Sequence, residues 1–429
     1  MTRIVSLDVG SSSVRAVAFD ADGRPEPGEA HLAYTSLDAD HLVDACRTVL
    51  AHVGEGDAVA VSCFWHSLVA VDEHDRPLTP VLTWRDVVGD APPLDPDYHR
   101  RTGCFAHPSF WPAKIARLRS DGVRAARYLG FGEYLLLQLT GEVRASVSSV
   151  SATGLFDQAR LTWDEPTLDV LGIGPDVLPP VSDEPVAGVW PAVGDGACSN
   201  LGTGSVGRGR VAITVGTSGA ARVVHGGDAP DARPGLFLYR LDAERLCEGG
   251  ALSDGGNLHA WLQATLRDLD TTGIAEREPA AHGLVFLPFL GGERSLGWDA
   301  SLRGAVEGLS FATTPIDLAQ AALESVCYRF AAVLDALGQV ESVVATGGAL
   351  LANPDWIQVL ADVLGYPVEV SGVAEGSARG AAVLALERLG LPVPEAPIER
   401  AVEPRLERHA THAAARAEHE RVLAVLRGS

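Results

Sequence analysis

The sequence predicts an α/β protein built from two similar domains, and three observations carry that prediction. The chain has 429 residues, too many for one hydrophobic core of ordinary size. A strand, a Gly/hydroxyl loop and a second strand occur twice, as IVSLDVGSSSVRAVAFD at 4–20 and as VAITVGTSGAARVV at 211–224. Between and after the two copies, short apolar runs alternate with segments of helical periodicity, the pattern of an α/β fold. The two halves divide at 1–206 and 207–429.

In the first hairpin an apolar run reaches Asp8, and Gly10, Ser11, Ser12 and Ser13 form the tip. In the second, Gly216, Thr217, Ser218 and Gly219 form the tip, and Thr214 stands where the first copy has Asp8. Backbone N–H groups and hydroxyls at a tip donate to phosphate oxygens, and a neighbouring carboxylate holds Mg²⁺ directly or through its waters. Taken alone, either hairpin reads as plain structure, since Gly/Ser tips are common. The duplication and the single asymmetric Asp favour two jaws that face one nucleotide across a cleft.

Hydrophobic residues make up 46% of the chain and charged residues 21%, the balance of a folded globular protein. Lys and Arg number 34 against 56 Asp and Glu, a formal net charge of −22. That excess argues against nucleic acid and anionic membranes as partners, because both require a basic face. An anionic ligand must therefore be held by locally placed donors. The six cysteines, Cys46, Cys63, Cys104, Cys198, Cys247 and Cys327, form no C-x-x-C pair. Neither a zinc site nor a disulfide framework is expected, and reduced thiols in a cytoplasm fit best. The N-terminus enters a strand at once with no signal peptide, and no apolar run is long enough to span a bilayer.

In chain order, Asp40 is the expected N-cap of a helix over 40–53. A buried strand follows at 59–64, the same sheet continues over 67–71, and another strand covers 81–84. Helices are expected at 113–120, 123–139 and 163–173, with 146–153 a packed loop. Gly202, Gly204 and Gly207 match G-x-G-x-x-G. They follow a helix and run into a strand, the reverse of what a dinucleotide loop requires, so the match is set aside. In the second half, 249–261 leads into a helix. A long helix covers 315–337 with Pro315 at its first position. Strand 343–346, helix 354–364, strand 367–370, helix 377–389 and a terminal helix at 405–427 complete the chain.

Asp195 sits in a Gly-Asp-Gly turn ahead of small residues that open a helix. Phosphorylating an alcohol takes a carboxylate near the attacking hydroxyl, a cradle for the γ-phosphate, and Mg²⁺ to spread the developing charge. A helix N-terminus beyond Asp195 would keep it ionised and favour the phosphoryl group. By itself, a turn aspartate is the better reading. His66, Trp84 and Asp86 lie at or beyond strand ends, where ligands gather in open α/β sheets. A Trp face, an imidazole and a carboxylate suit a polyhydroxylated chain; singly, His66 reads as a core histidine and Trp84 as a core aromatic. Gly347 and Gly348 either admit an adenine or ribose close to the backbone or make a simple strand-to-helix turn. Neither a P-loop nor a G-x-S-x-G elbow is present.

Eight stretches in order resemble the FGGY carbohydrate kinases, a branch of the actin/hexokinase-like superfamily. They are LDVGSSSVRAVAFD (7–20), FWHSLVAVDEHDRPLTPVLTWRD (64–86), SATGLFD (151–157), VGDGACSNLGTG (193–204), ITVGTSG (213–219), LPFLGGER (287–294), ATGGALLANPDWIQVLADVLGYPV (345–368) and SARGAAVLAL (377–386). Within that family the chain is most similar to the bacterial gluconate kinases, through TWRD (83–86), TGCFAHPSFWPAKI (102–115), SATGLFD and SARGAA.

The resemblance implies two actin/hexokinase-like (ribonuclease H-like) domains with a nucleotide and sugar cleft between them. It implies transfer of the γ-phosphate of ATP, with Mg²⁺, to an open-chain sugar or sugar acid. D-gluconate at O6 is favoured, with xylulose or another pentulose as the runner-up. The resemblance carries Asp195 onto the catalytic base and Asp8 onto the metal-associated aspartate. Gly10, Ser11, Ser12, Ser13 and Arg15 fall on the first phosphate loop, and Gly216, Thr217 and Ser218 on the second. Gly347, Gly348 and Asn353 fall in the adenosine region. His66, Trp84, Asp86 and His107 fall on the sugar side with Asp195, and Arg85 and Lys114 are candidate partners for a substrate carboxylate. The chain departs from its relatives in being short, in a compressed segment at 186–193, and in Ser146 and Val88, which replace an acid and an Arg. These departures leave a kinase-like sugar-binding regulator as the alternative class. The oligomeric state stays open, a homodimer included.

Overall fold

The computed structural model describes residues 2–87, 89–227 and 232–428. The first hairpin, Ile4–Val9 with Ser13–Phe19, is antiparallel and sets Asp8 opposite Arg15. Ile4–Val9 also runs parallel to Ala58–Cys63, which takes the two-residue strand Val193–Gly194 in parallel. Ala30–Ala33 closes the other edge of this five-stranded sheet. The second hairpin, Arg210–Val215 with Gly219–Gly226, repeats the plan. It has Ser342–Thr346 and Val368–Ser371 in parallel on one side and Arg245–Leu252 antiparallel on the other. Phe237–Arg240 and Ile398–Val402 extend this sheet to seven strands.

Strand alternation decides what each face meets. Leu7 and Val9 join Leu42, Val43, Phe131 and Leu135 in a core beneath the helices Ala39–Val53 and Phe131–Thr140. Ile4, Ser6 and Asp8 take the opposite face. There Ile4 joins a core with Ala197, Leu201, Ala378 and Ala382, and Ser6 Oγ donates to the Ala378 carbonyl at 2.7 Å. In the second sheet Val211, Ile213 and Val215 pack with residues of the helices Pro315–Leu337 and Pro354–Leu364. Thr214 therefore takes the face turned toward the first half, as Asp8 does in its own sheet.

Asp195–Gly202 and Gly376–Arg388 are equivalent helices, each following the last parallel strand of its unit. They cross backbone against backbone. A Cβ at Gly380 would land on the Cys198 carbonyl, and one at Gly202 on the Gly376 carbonyl. The Gly376–Arg388 helix thus belongs by sequence to the second half and packs on strands of both the first sheet and its partner helix.

Several expectations change where long-range pairing overrides local pattern. The first helix is capped by Asp38, whose Oδ1 accepts from His41 N at 2.9 Å. Asp40 instead accepts from the Tyr134 hydroxyl at 2.5 Å. Val69–Val71 leaves the main sheet and pairs with Arg127–Leu129, so 123–139 is a strand and a helix rather than one helix. At 81–84 only Leu82 bridges, to Leu68. Ser146 caps a short helix, Val147–Ser151, where a loop was expected. The rejected dinucleotide match holds no such loop, since its helix ends at Gly202 and the chain turns into Arg210–Val215. Pro315–Leu337 and Pro354–Leu364 fall at their expected bounds. The six cysteines are buried and unpaired. Among the described residues no helix is long and apolar enough to cross a membrane. Val88 lies outside the described residues.

The glycine crossing gives a stability test. Alanine at position 380 gains about 1 kcal/mol of helix propensity, but overpacking against a carbonyl costs about 3 kcal/mol. Gly380→Ala should therefore lower the thermal midpoint by several degrees. An unchanged midpoint would show that the crossing tolerates a methyl group.

Candidate active site

A cavity of about 320 Å³ lies between the two halves, lined by both hairpin tips. Gly10 and Ser11 come from the first tip, and Gly216, Thr217 and Ser218 from the second. Each tip is closed by its glycine, the second one residue shorter than the first: Gly10 N donates to Ser13 O at 2.9 Å, and Gly216 N to Ser218 O at 3.0 Å. The second tip is pinned from behind. Gly256 N donates to Gly216 O and Asn257 N to Thr217 O, each at 2.9 Å. Ser12 is exposed at its tip. Arg15 reaches across the halves to form an ion pair with Glu375, the residue before the Gly376–Arg388 helix.

Asp195 lines the cavity at the first position of its helix, and its Oδ1 accepts from Gly196 N at 2.8 Å. Burial pushes its carboxyl above the ordinary value. The charge of Arg222, the N–H groups of Gly196 and Trp65, and Arg294 oppose that rise without cancelling it. Asp8 is pushed up to about 6, chiefly by burial. The neighbouring Ser62 hydroxyl and the charge of Arg15 lower it, and Asp195 raises it further. Two half-buried carboxylates that destabilise one another's charge form a hard-oxygen site that a cation would relieve. Among the described residues no cluster of three or more Asp, Glu, His or Cys could hold a metal by protein ligands alone. That donor set fits Mg²⁺, which keeps several waters and shares itself with substrate phosphates.

The expected sugar-side residues divide. His66 and Trp84 line the cavity. His66 has a φ of 65°, in the left-handed region that non-glycine residues seldom occupy. Its Nδ1 donates to the Ala152 carbonyl at 2.8 Å, and burial with Arg294 and Lys114 holds its pKa well below the ordinary value. The ring is therefore neutral with Nε2 as an acceptor. His107 is the mirror case. Its Nδ1 accepts from Ser109 N at 3.2 Å, and burial lowers it to about 4, which leaves Nε2–H as a donor. It lines a second recess of about 530 Å³ that shares Trp84, Arg85, Thr217 and Arg294 with the first. Asp86 lines neither recess; it accepts from Thr83 N and Oγ1 at 2.6 and 2.9 Å and holds the turn that carries Trp84. Lys114 is fully buried and donates to the His66 and Thr83 carbonyls at 2.7 Å each, so it braces the wall from behind.

Sequence reasoning missed three residues of the second half. Arg222 lines the cavity and donates to Thr214 Oγ1 at 2.9 Å. Tyr239 stands edge-on to Trp65 and His66, its hydroxyl buried without a partner. Arg294 lines both recesses; it ends the LPFLGGER stretch, the one signal that could have found it. In the expected adenosine region, Gly347 has a φ of 91°, and a Cβ there would strike the backbone of Val215. Gly348 is exposed with open space where a Cβ would stand. Asn353 is occupied as the cap of Pro354–Leu364, its side chain accepting from Trp356 N at 3.1 Å.

The FGGY carbohydrate kinase C-terminal domain matches residues 211–387 and the N-terminal domain residues 97–188. The chain is 30% identical to a gluconokinase of Bacillus licheniformis, over 90% of this chain and 88% of that one. This chain belongs to the FGGY family of carbohydrate kinases. Other relatives of this FGGY kinase differ in acceptor: a glycerol kinase of Methylobacterium nodulans is 31% identical over 92% of this chain and 91% of its own. Among solved structures, gluconate kinase from Lactobacillus acidophilus superposes with a TM-score of 0.88 at 24% identity, covering 99% and 98% of the two chains. A xylulose kinase from the same organism gives 0.89 at 24%, covering 100% and 99%. These likenesses show the fold: the FGGY kinase has the two-domain actin/hexokinase-like architecture.

The position of Asp8 yields a pH prediction. A carboxyl at about 6 in the fold, against an ordinary 3.8, binds its proton more tightly folded than unfolded. Its contribution is most favourable below about pH 4 and is lost as pH rises through about 6. Asp8→Asn should match wild type near pH 4 and exceed it above pH 6 by roughly 1–3 kcal/mol in the nucleotide-free enzyme. Thermal melts from pH 4 to 8 measure this; parallel curves would sink the assignment.

Proposed function

We propose that this FGGY kinase transfers the γ-phosphate of ATP to a hydroxyl of an open-chain sugar acid, with D-gluconate at O6 the favoured acceptor. The observation that carries the reading is the meeting of Asp195 with both Gly/hydroxyl tips in one cavity. The gluconokinase relatives support the choice of acceptor. We place the enzyme in a cytoplasm, which six unpaired buried thiols suit, and set the domain boundary at 206/207, between the two sheets.

In this mechanism the tip N–H groups and hydroxyls of Gly10–Ser13 and Gly216–Ser218 hold the phosphates, and Gly347 and Gly348 leave room for the adenosine. Mg²⁺, when bound near Asp8, supplies charge neutralisation for the phosphates. Asp195 accepts the proton of the attacking hydroxyl. Its burial makes it a stronger base than a carboxylate in water, while the charges of Arg222 and Arg294 favour its ionised form. The neutral imidazole of His66 offers an acceptor and that of His107 a donor, so the wall reads the direction of sugar hydroxyls. Trp84 covers the carbon chain.

A coupled ADP-release assay over gluconate, xylulose, ribulose and glycerol tests this. Gluconate should give the highest kcat/KM, and xylulose in first place would replace the acceptor. Folded protein with no turnover on any of them would favour a sugar-binding regulator. Asp195→Asn should lose about 10³-fold or more in kcat while still binding ATP; an active variant would remove Asp195 as the base.

A further inference from the structure

The buried arginines of this chain have recognisable partners. Arg222 donates to Thr214 and Asn200 side chains, Arg329 to Glu293, and Arg379 to the Gly202 and Pro394 carbonyls. Arg294 differs. Its Nε is buried without a hydrogen-bond partner. Among the described residues, no hydrogen bond or ion pair engages its guanidinium. Its guanidinium lies against two aromatic faces, with Cζ 5.6 Å from the ring centroids of both Trp84 and Trp298, while Tyr239, Arg222 and Asp195 act on it through charge alone.

An arginine stacked on aromatic faces keeps its edge donors free, in the fork geometry that matches a carboxylate. Arg85 lies over the same Trp84 ring at 4.9 Å. Two cations on one indole repel each other, and an anion between them relieves that repulsion. Arg294, Trp84 and Arg85 stand where the two recesses merge, with Arg303 farther along the larger one. In a chain of net charge −22, three arginines on one recess are a local reversal of the field. The neighbours of Arg294 include His66 and His107, which its charge helps to keep neutral; this is the acceptor side of the cleft.

We propose that Arg294, stacked on Trp84 and Trp298, binds the carboxylate of an aldonic acid, so that the enzyme recognises its acceptor by the acidic end. This rests on the proposed sugar-acid kinase activity and deepens it. Lys114, another basic side chain near this wall, is spent on two backbone carbonyls, and Arg294 takes the role in its place.

The test uses the full-length enzyme without nucleotide. Because Trp84 and Trp298 flank the guanidinium, tryptophan fluorescence reports binding of D-gluconate, of neutral D-glucitol (the same chain with a hydroxymethyl end) and of inorganic phosphate. Wild type should bind gluconate at least ~30-fold more tightly than glucitol. Arg294→Gln should bring that preference below about 3-fold, with Arg294→Lys in between. In turnover, the loss should fall on KM for gluconate and leave KM for ATP in place. Arg294→Met should melt no lower than wild type, because it removes an unpaired buried charge; this reports folding independently. A gluconate preference that survives in Arg294→Gln overturns the assignment. So does an equal fall of kcat on every acceptor with a raised KM for ATP, or loss of phosphate binding alone, since Arg294 would then serve the phosphoryl group. A wild-type enzyme that prefers neutral sugars overturns the sugar-acid reading itself, which the variants do not address.

Discussion

The crossing of Asp195–Gly202 with Gly376–Arg388 is the contact on which the site depends. Its closeness requires glycine on both sides, at 202 and at 380. Because the second helix also packs on the first sheet, the two halves share one buried core behind the cavity. The consequence is local and chemical. Asp195 begins one helix, Ser377 lies in the first turn of the other, and Ser377 Oγ donates to the Asp195 carbonyl at 3.2 Å. Any movement that separated the helices would carry the proposed base away from the second half, where one of the two proposed phosphate tips resides. The Arg15–Glu375 ion pair spans the same seam from the first hairpin. Position supplies much of a kinase's rate, and here the position of Asp195, the proposed base, follows directly from helix packing.

What was legible in the sequence was what local pattern determines. Each hairpin is specified by an apolar run, a glycine tip and a returning run, and both form as antiparallel pairs closed at the glycine. The helix at 315–337 carries its own start signals in Pro315 and the Thr314–Asp317 capping box. What failed was set by distant partners. The apolar run around 127–129 looks helical until Val69–Val71 supplies a strand to pair with it. Asp86 and Asn353 illustrate the same limit within the site. Asp and Asn near turns and helix starts bond their own backbone first, and both are consumed that way.

Arg294 and Tyr239 were illegible for the opposite reason. Their significance lies in what does not surround them. A sequence shows that an arginine exists, but only the fold shows that its guanidinium rests on two indoles without an acceptor. Lys114 makes the contrast. It stands in the same wall and reads equally basic, yet two carbonyls satisfy it.

The electrostatics of the cleft combine two opposed effects, and magnitude decides between them. Burial disfavours charge on Asp8, Asp195, Arg222 and Arg294 alike. The opposite charges then restore part of what burial removes, since Arg222 and Arg294 both favour the ionised form of Asp195. Burial wins at Asp195 and leaves a carboxylate more basic than one in water. A complete neutralisation would give a better-packed apo protein and a poorer base. The cost of holding these charges is carried by the shared core behind them, where Ile4, Ala197, Val224, Ala251 and Ala382 pack together. An enzyme with this fold can therefore keep an imperfectly paired site without losing its structure, because the residues that bear the charge are separate from those that bury the apolar area.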